Sequence, residues 1–251
     1  QMCIRDSSST AIGAFALYSN TTGDNNTGVG RSALEANTTG RQNTAIGSGT
    51  LDANTTGENN TAVGMHALTA NTTADENTAV GAYALADNTT GTRNTAVGLY
   101  SLIANTTGNN NTGVGRSALQ ANTTGYDNVA VGRSALDANT TGYGNISVGE
   151  SSLTSNTTGY RNTAVGQSTL LSCTTGAENT AVGQNAGDAI NTGVSNTAIG
   201  QNSLSACQTG NSNVAIGVNA LLGTTISQTV AVGGNALRAH TTGLYLSLIH
   251  I

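Results

Sequence analysis

Residues 43–59 read NTAIGSGTLDANTTGEN, and residues 60–76 read NTAVGMHALTANTTADE. The second stretch restates the first after 17 residues, and that restatement decides the fold. Across the chain the unit is Asn-Thr-Ala-(Val/Ile)-Gly-x-x-Ala-Leu-x-Ala-Asn-Thr-Thr-Gly-x-x, written about fourteen times. Its fifth slot is Gly13, Gly30, Gly47 and onward to Gly217 in steps of 17; a last copy at Gly233 comes after 16, one residue being dropped from the Thr224–Gln228 turn. A short fixed period means that each unit packs on its neighbours, which predicts a solenoid. Catalysis needs unlike residues brought together, whereas a repeat brings like residues together. A displayed surface is expected, and an enzyme is not.

Within the unit, the second and fourth slots share one face of a strand, because side chains alternate with period two. The fourth is always Val or Ile, and the second is Thr except at Val129, Ile146, Val214 and Val230. That exchange predicts an inward, β-branched face, and the small third slot (Ala, Gly or Ser) then lies on the opposite side, open to close approach by another backbone. The ninth slot is Leu from Leu17 to Leu237, Gly187 being the departure, and is expected in the core. The sixth slot (Arg31, Arg116, Arg133, Glu150, Gln167) is expected in solvent. Asn-Thr-Thr-Gly reads as a turn, Asn bonding its local backbone and Gly supplying positive φ. Two short strands and two turns make one flattened coil. Gly twice per unit, with abundant Thr, Asn, Val and Ile and no 3.6-residue stripe, excludes a continuous helix. The fold class is therefore all-β, a parallel β-roll of about fourteen 17-residue coils. At about 4.8 Å per coil it would form a rod roughly 65 Å long.

Composition narrows the function further. Only 8% of residues are charged and 3% aromatic, Pro, Trp and Lys are absent, and the formal charge is -5. Scattered arginines make no basic stripe to neutralise a phosphate backbone, so nucleic acid is not an expected partner. No stretch has the length of a transmembrane helix, and no membrane contact by this segment is expected. Residues 1–8 and 244–251 break the repeat and resemble translated adapter or assembly-junction sequence. The expectation is an internal, metagenome-type fragment whose repeat domain spans 9–243. Each coil offers one Val or Ile, one Leu and a few Ala or Thr to its core, a thin supply against the cost of ordering its backbone. Lateral association would enlarge it.

The Asn-Thr-Ala-Val-Gly and Asn-Thr-Ala-Ile-Gly motifs resemble the head repeats of YadA-type trimeric autotransporter adhesins. The intervening Ala-Leu-x-Ala-Asn-Thr-Thr-Gly is similar to repeats of phage tail-fibre-like proteins. The resemblance covers about residues 9–243. It implies a left-handed β-roll, a homotrimer, an extracellular place on a cell surface or virion, and contact with a host-surface glycan or protein.

Candidate sites are few. His66, His240 and His250 are the only histidines, and no Cys-x-x-Cys, His-Glu-x-x-His or nucleophile elbow occurs. No two aspartates share a slot in successive coils, so no carboxylate ladder for calcium is expected, and no metal or cofactor is implied. Cys173 and Cys207 replace the twelfth-slot Asn two coils apart, beyond disulfide reach, and are expected as free thiols; Cys3 lies in the leader. The Asn-Thr-Thr triplets match a glycosylation sequon, but a stacked Asn ladder serving the turn amides uses the same residues. Tyr126, Tyr143 and Tyr160 share the sixteenth slot of successive coils, making an aromatic stripe and a candidate contact patch. The leading expectation is a structural and adhesive rod segment of a trimeric bacterial surface adhesin or phage tail fibre. The alternatives are an ice-binding solenoid, against which the adjacent Thr-Thr pair counts because its side chains diverge, and the passive repeat domain of a larger secreted enzyme.

Overall fold

The computed structural model describes residues 8–223, 225, 227–239 and 247–249. Cys3, His240, His250 and most of the two end segments lie outside the described residues. The chain divides into two compact units, Gln1–Tyr126 and Asp127–Ile251. The first holds strands β1 (Thr10–Ile12), β2 (Thr27–Val29), β3 (Thr44–Ile46), β4 (Thr61–Val63), β5 (Thr78–Val80), β6 (Thr95–Val97) and β7 (Thr112–Val114). The second holds β8 (Val129–Val131), β9 (Ile146–Val148), β10 (Thr163–Val165), β11 (Thr180–Val182), β12 (Thr197–Ile199), β13 (Val214–Ile216), β14 (Val230–Val232) and β15 (Ser247–Ile249). In each unit successive strands pair in parallel, slot against slot: Thr44 faces Thr61, Ala45 faces Ala62, and Ile46 faces Val63. The pairing even takes in Ser247–Ile249 of the C-terminal segment, which lies against Val230–Val232. The protein is an all-β parallel solenoid with one coil per repeat.

The alternation within the strand is the reverse of the expected one. Ala45, Ala62, Ala79, Ala96 and Ala130 in the third slot are fully buried. The flanking Val and Ile point out, with Val80 36% and Ile12 60% exposed. Val63, Val80 and Val97 do stack in register, but on the outer face. Coil width explains the inversion. An added Cβ at Gly28 would already sit 3.4 Å from Leu17 Cγ and 3.2 Å from the Ala33 carbonyl oxygen. A slot this close to the opposite wall admits Ala, Gly or Ser, so the branched residues take the outside. The third slot is therefore not a lateral docking surface. Arg31, Arg116, Arg133 and Gln167 are exposed as expected, and Glu150 is half-buried beside Arg133.

Among the described residues only one strand forms per coil. The Ala-Leu half is a chain of turns, apart from one isolated bridge between Ala177 and Val194. It still follows the ladder: Leu51 N donates to Ala67 O at 3.1 Å, Thr55 N to Thr72 O at 2.8 Å, and Asn59 N to Arg41 O at 3.1 Å. The turns run through the left-handed region. Leu51, Leu68 and Leu85 have φ of 51°, 53° and 52°, uncommon for a residue with a side chain. That conformation accompanies full burial of the leucine, and every described Leu of this slot from Leu17 to Leu221 is buried. Where Gly187 replaces it, Ile190 three residues on is buried, and a Cβ on Gly187 would come within 3.0 Å of Ile190 Cδ1. The coil keeps its apolar filling by moving it.

Two buried amide ladders complete the interior. The twelfth-slot Asn54 Nδ2 donates to Asn37 Oδ1 at 2.8 Å and to its own turn's Gly57 O at 3.1 Å. The first-slot Asn43 Nδ2 reaches the same Gly57 O at 2.8 Å, while Asn43 Oδ1 accepts from Asn60 N at 3.0 Å. One turn carbonyl thus takes two side-chain donors, which is why Asn recurs at both slots. Asn37, Asn54 and Asn71 are fully buried, so the sequon is spent on the fold. The ladder stops at Cys173, leaving Asn156 Oδ1 buried without a partner. Replacing Asn88 by Ala should destabilise the protein by roughly 2–3 kcal/mol, since it strands Asn71 Oδ1 and removes a donor from Gly91 O. Cys173→Ala should cost less, its neighbour being orphaned already; denaturant titration of both variants checks the difference.

Candidate functional site

Three surfaces follow from this packing. In the tyrosine slot, the Tyr143 and Tyr160 rings stack with centroids 5.1 Å apart and planes within 4°. The Arg161 guanidinium lies 5.9 Å from one ring centre and 6.0 Å from the other, and reaches Glu178 at 3.7 Å. The two rings therefore meet face to face, with the cation alongside the pair. Such a stack suits hydrogen bonding and edge contacts better than a sugar laid flat on a ring. Tyr126, in the first unit, is 44% exposed.

A second aromatic ladder escaped the sequence reading. His66, Tyr83 and Tyr100 occupy the seventh slot of successive coils; His66 and Tyr83 stack at 5.4 Å, and the Tyr83 and Tyr100 rings meet tilted by 34° at 5.7 Å. Met65 and Leu99, one residue earlier in their coils, are exposed. The recurrence at 17 was visible in the sequence, by the same logic that found the tyrosines.

The third surface is the outer sheet face. Its second and fourth slots hold only Thr, Val and Ile in every coil from Thr10 to Val232, with no charge. Ile46, Val80, Val97, Val131, Val148, Val165, Val182, Ile199 and Ile216 are all exposed on it. Each strand thus presents Thr-x-Val or Thr-x-Ile outward in most coils, repeated at the ladder spacing.

The remaining chemistry is modest. Among the described residues no group of three or more His, Cys, Asp or Glu is placed to hold a metal ion. No described helix is long and apolar enough to cross a membrane. Neither Cys173 nor Cys207 is in a disulfide; both are buried, and burial pushes the Cys173 thiol up to about 11, so it is not a thiolate at neutral pH. Burial also raises the Asp188 carboxyl above its ordinary value, against hydrogen bonds from Ser205 and nearby backbone that pull it down. A raised carboxyl binds its proton more tightly folded than unfolded. Stability at this position should fall as pH rises from the ordinary carboxylate range through the raised value, then level off. Asp188→Asn should remove that dependence and raise the denaturation midpoint at neutral pH.

No protein-family model matches the chain, and no curated protein matches it.

Proposed function

We propose that the chain is a structural and adhesive segment whose copies associate side by side through the outer sheet face, as in a trimeric surface adhesin or phage-type tail fibre. The observation that carries this reading is the uncharged, β-branched face at the second and fourth slots. Large contiguous apolar surface marks an interaction site, and interface cores are depleted of charge. The resemblance of the Asn-Thr-Ala-Val-Gly motif to trimeric adhesin heads supports the same assembly and an extracellular place. In this reading the invariant slots hold the fold and the assembly together, and contact with a host glycan or protein falls to variable slots, the Tyr126, Tyr143 and Tyr160 slot among them. Neither nucleic acid nor a membrane is a partner in it.

Sedimentation of the full chain tests it. The native protein should associate to a single mass of three copies. Val80→Lys with Val97→Lys should sediment as a monomer with an unchanged circular-dichroism spectrum, since both side chains are exposed in the single chain. A native protein that stays monomeric at high concentration contradicts the proposal.

A second reading has one observation in its favour. The outward residues are Thr-x-Val and Thr-x-Ile, separate from the adjacent Thr-Thr pair of the turn, and they repeat regularly on a parallel sheet. A regular array of hydroxyls and methyls is a surface that can order water in an ice-like lattice. Thermal hysteresis by a monomeric native protein, lost on Val80→Lys, would favour ice binding over assembly.

A further inference from the structure

A face built from one repeated row has no axial register of its own. In the first unit, a copy displaced by one coil still matches six of the seven strands β1–β7, Thr against Thr and Val or Ile against its like. Flat, uniform strand surfaces specify register weakly, so a device outside the repeated slots must set it. Coiled coils use a sparse unlike residue in the same way.

The sixth and seventh slots supply such a device. They follow the sheet face directly, one and two residues beyond the corner glycine, and they vary. In three successive coils these slots hold no Asp, Glu, Lys or Arg, and Met65, His66, Tyr83, Leu99 and Tyr100 form a block with the three rings in contact and Met65, Leu99 and Tyr100 exposed. The next coil has Arg116 and Ser117 there, and the second coil has Arg31 and Ser32. The block thus ends directly at a cation, Arg116, on one side, and on the other at Ser48 and Gly49, with Arg31 one coil beyond. We infer that this aromatic corner is the axial key of the lateral assembly, recognising a second copy of this chain at one register only; the inference rests on the side-by-side association proposed above. In register, the block of each copy lies at the same level as that of its neighbour. A one-coil slip brings an exposed apolar side chain to the level of an arginine, so buried rim area is exchanged for desolvation of a charge.

The test uses the full chain with Cys3, Cys173 and Cys207 replaced by Ser and a spin label at Thr90→Cys, an exposed position. Dipolar spectroscopy between copies should give one narrow distance. Replacing Met65, His66, Tyr83, Leu99 and Tyr100 by Ser, the residue at Ser48 in the sixth slot and at Ser32 and Ser117 in the seventh, leaves the coil intact. It should retain the sedimented mass but give several distances, from copies offset by multiples of about 4.8 Å. Tyr83→Ser alone, which disturbs less, should broaden the distribution in the same direction. A single narrow distance in the five-residue variant overturns the inference while leaving the assembly standing. A native chain that sediments as a monomer overturns the assembly itself, and a five-residue variant that no longer associates shows the corner to be the interface and not its key.

Discussion

Gly64→Ala should be among the most damaging single substitutions in the chain, at roughly 3–5 kcal/mol. Gly64 sits at φ 136°, in a region that side-chain-bearing residues avoid. A Cβ there would lie 2.6 Å from both the carbon and the oxygen of the Gly81 carbonyl. Those are backbone atoms of the next coil, held by Gly81 N donating to Val63 O at 2.8 Å, so nothing flexible can give way. Because a solenoid is stabilised by its nearest-neighbour interfaces, the loss falls on the junction of two coils. Denaturant titration should show an earlier midpoint and a transition whose probes no longer coincide.

Leu119→Ala should cost about 2–5 kcal/mol, whereas Val131→Ala should cost under about 1 kcal/mol in the single chain. Leu119 is fully buried, and its removal leaves a cavity in a coil with little else to fill it. Val131 is 37% exposed on the outer face, so its truncation changes the fold little. The sequence alone predicts similar losses for the two, since both are apolar and occupy conserved slots of the unit. A measured equality of the two would place Val131 inside the coil after all. Val131→Ala should instead act on association.

The contrast marks where sequence reasoning ended. The 17-residue period, the leucine core and the Asn turn ladder were legible, because each rests on recurrence at one slot and on the chemistry of one residue type. The sense of the Thr-Ala-Val alternation was not. A three-residue strand has two faces and no third turn of the pattern to show which is wet, and apolar residues are not confined to interiors. What decided it was the width of the coil, set by Leu and by two Asn ladders from elsewhere in the unit. The second strand failed for a local reason, since leucines at positive φ are not anticipated from any propensity. The tyrosine slot was recognisable as a stripe, but the orientation of its rings, face to face with Arg161 alongside, came only with the coordinates.

Thiol reactivity at the outer face tests the central claim most directly. In a chain lacking its native cysteines, Val80→Cys should react rapidly with a water-soluble maleimide at dilutions where the protein is monomeric. It should become protected once the copies associate. Thr90→Cys, on an exposed turn, should react at both concentrations. A Val80→Cys thiol that is slow in the dissociated chain would put the Val row inside the coil. One that stays equally reactive at the concentrations of assembly would take the sheet face out of the interface.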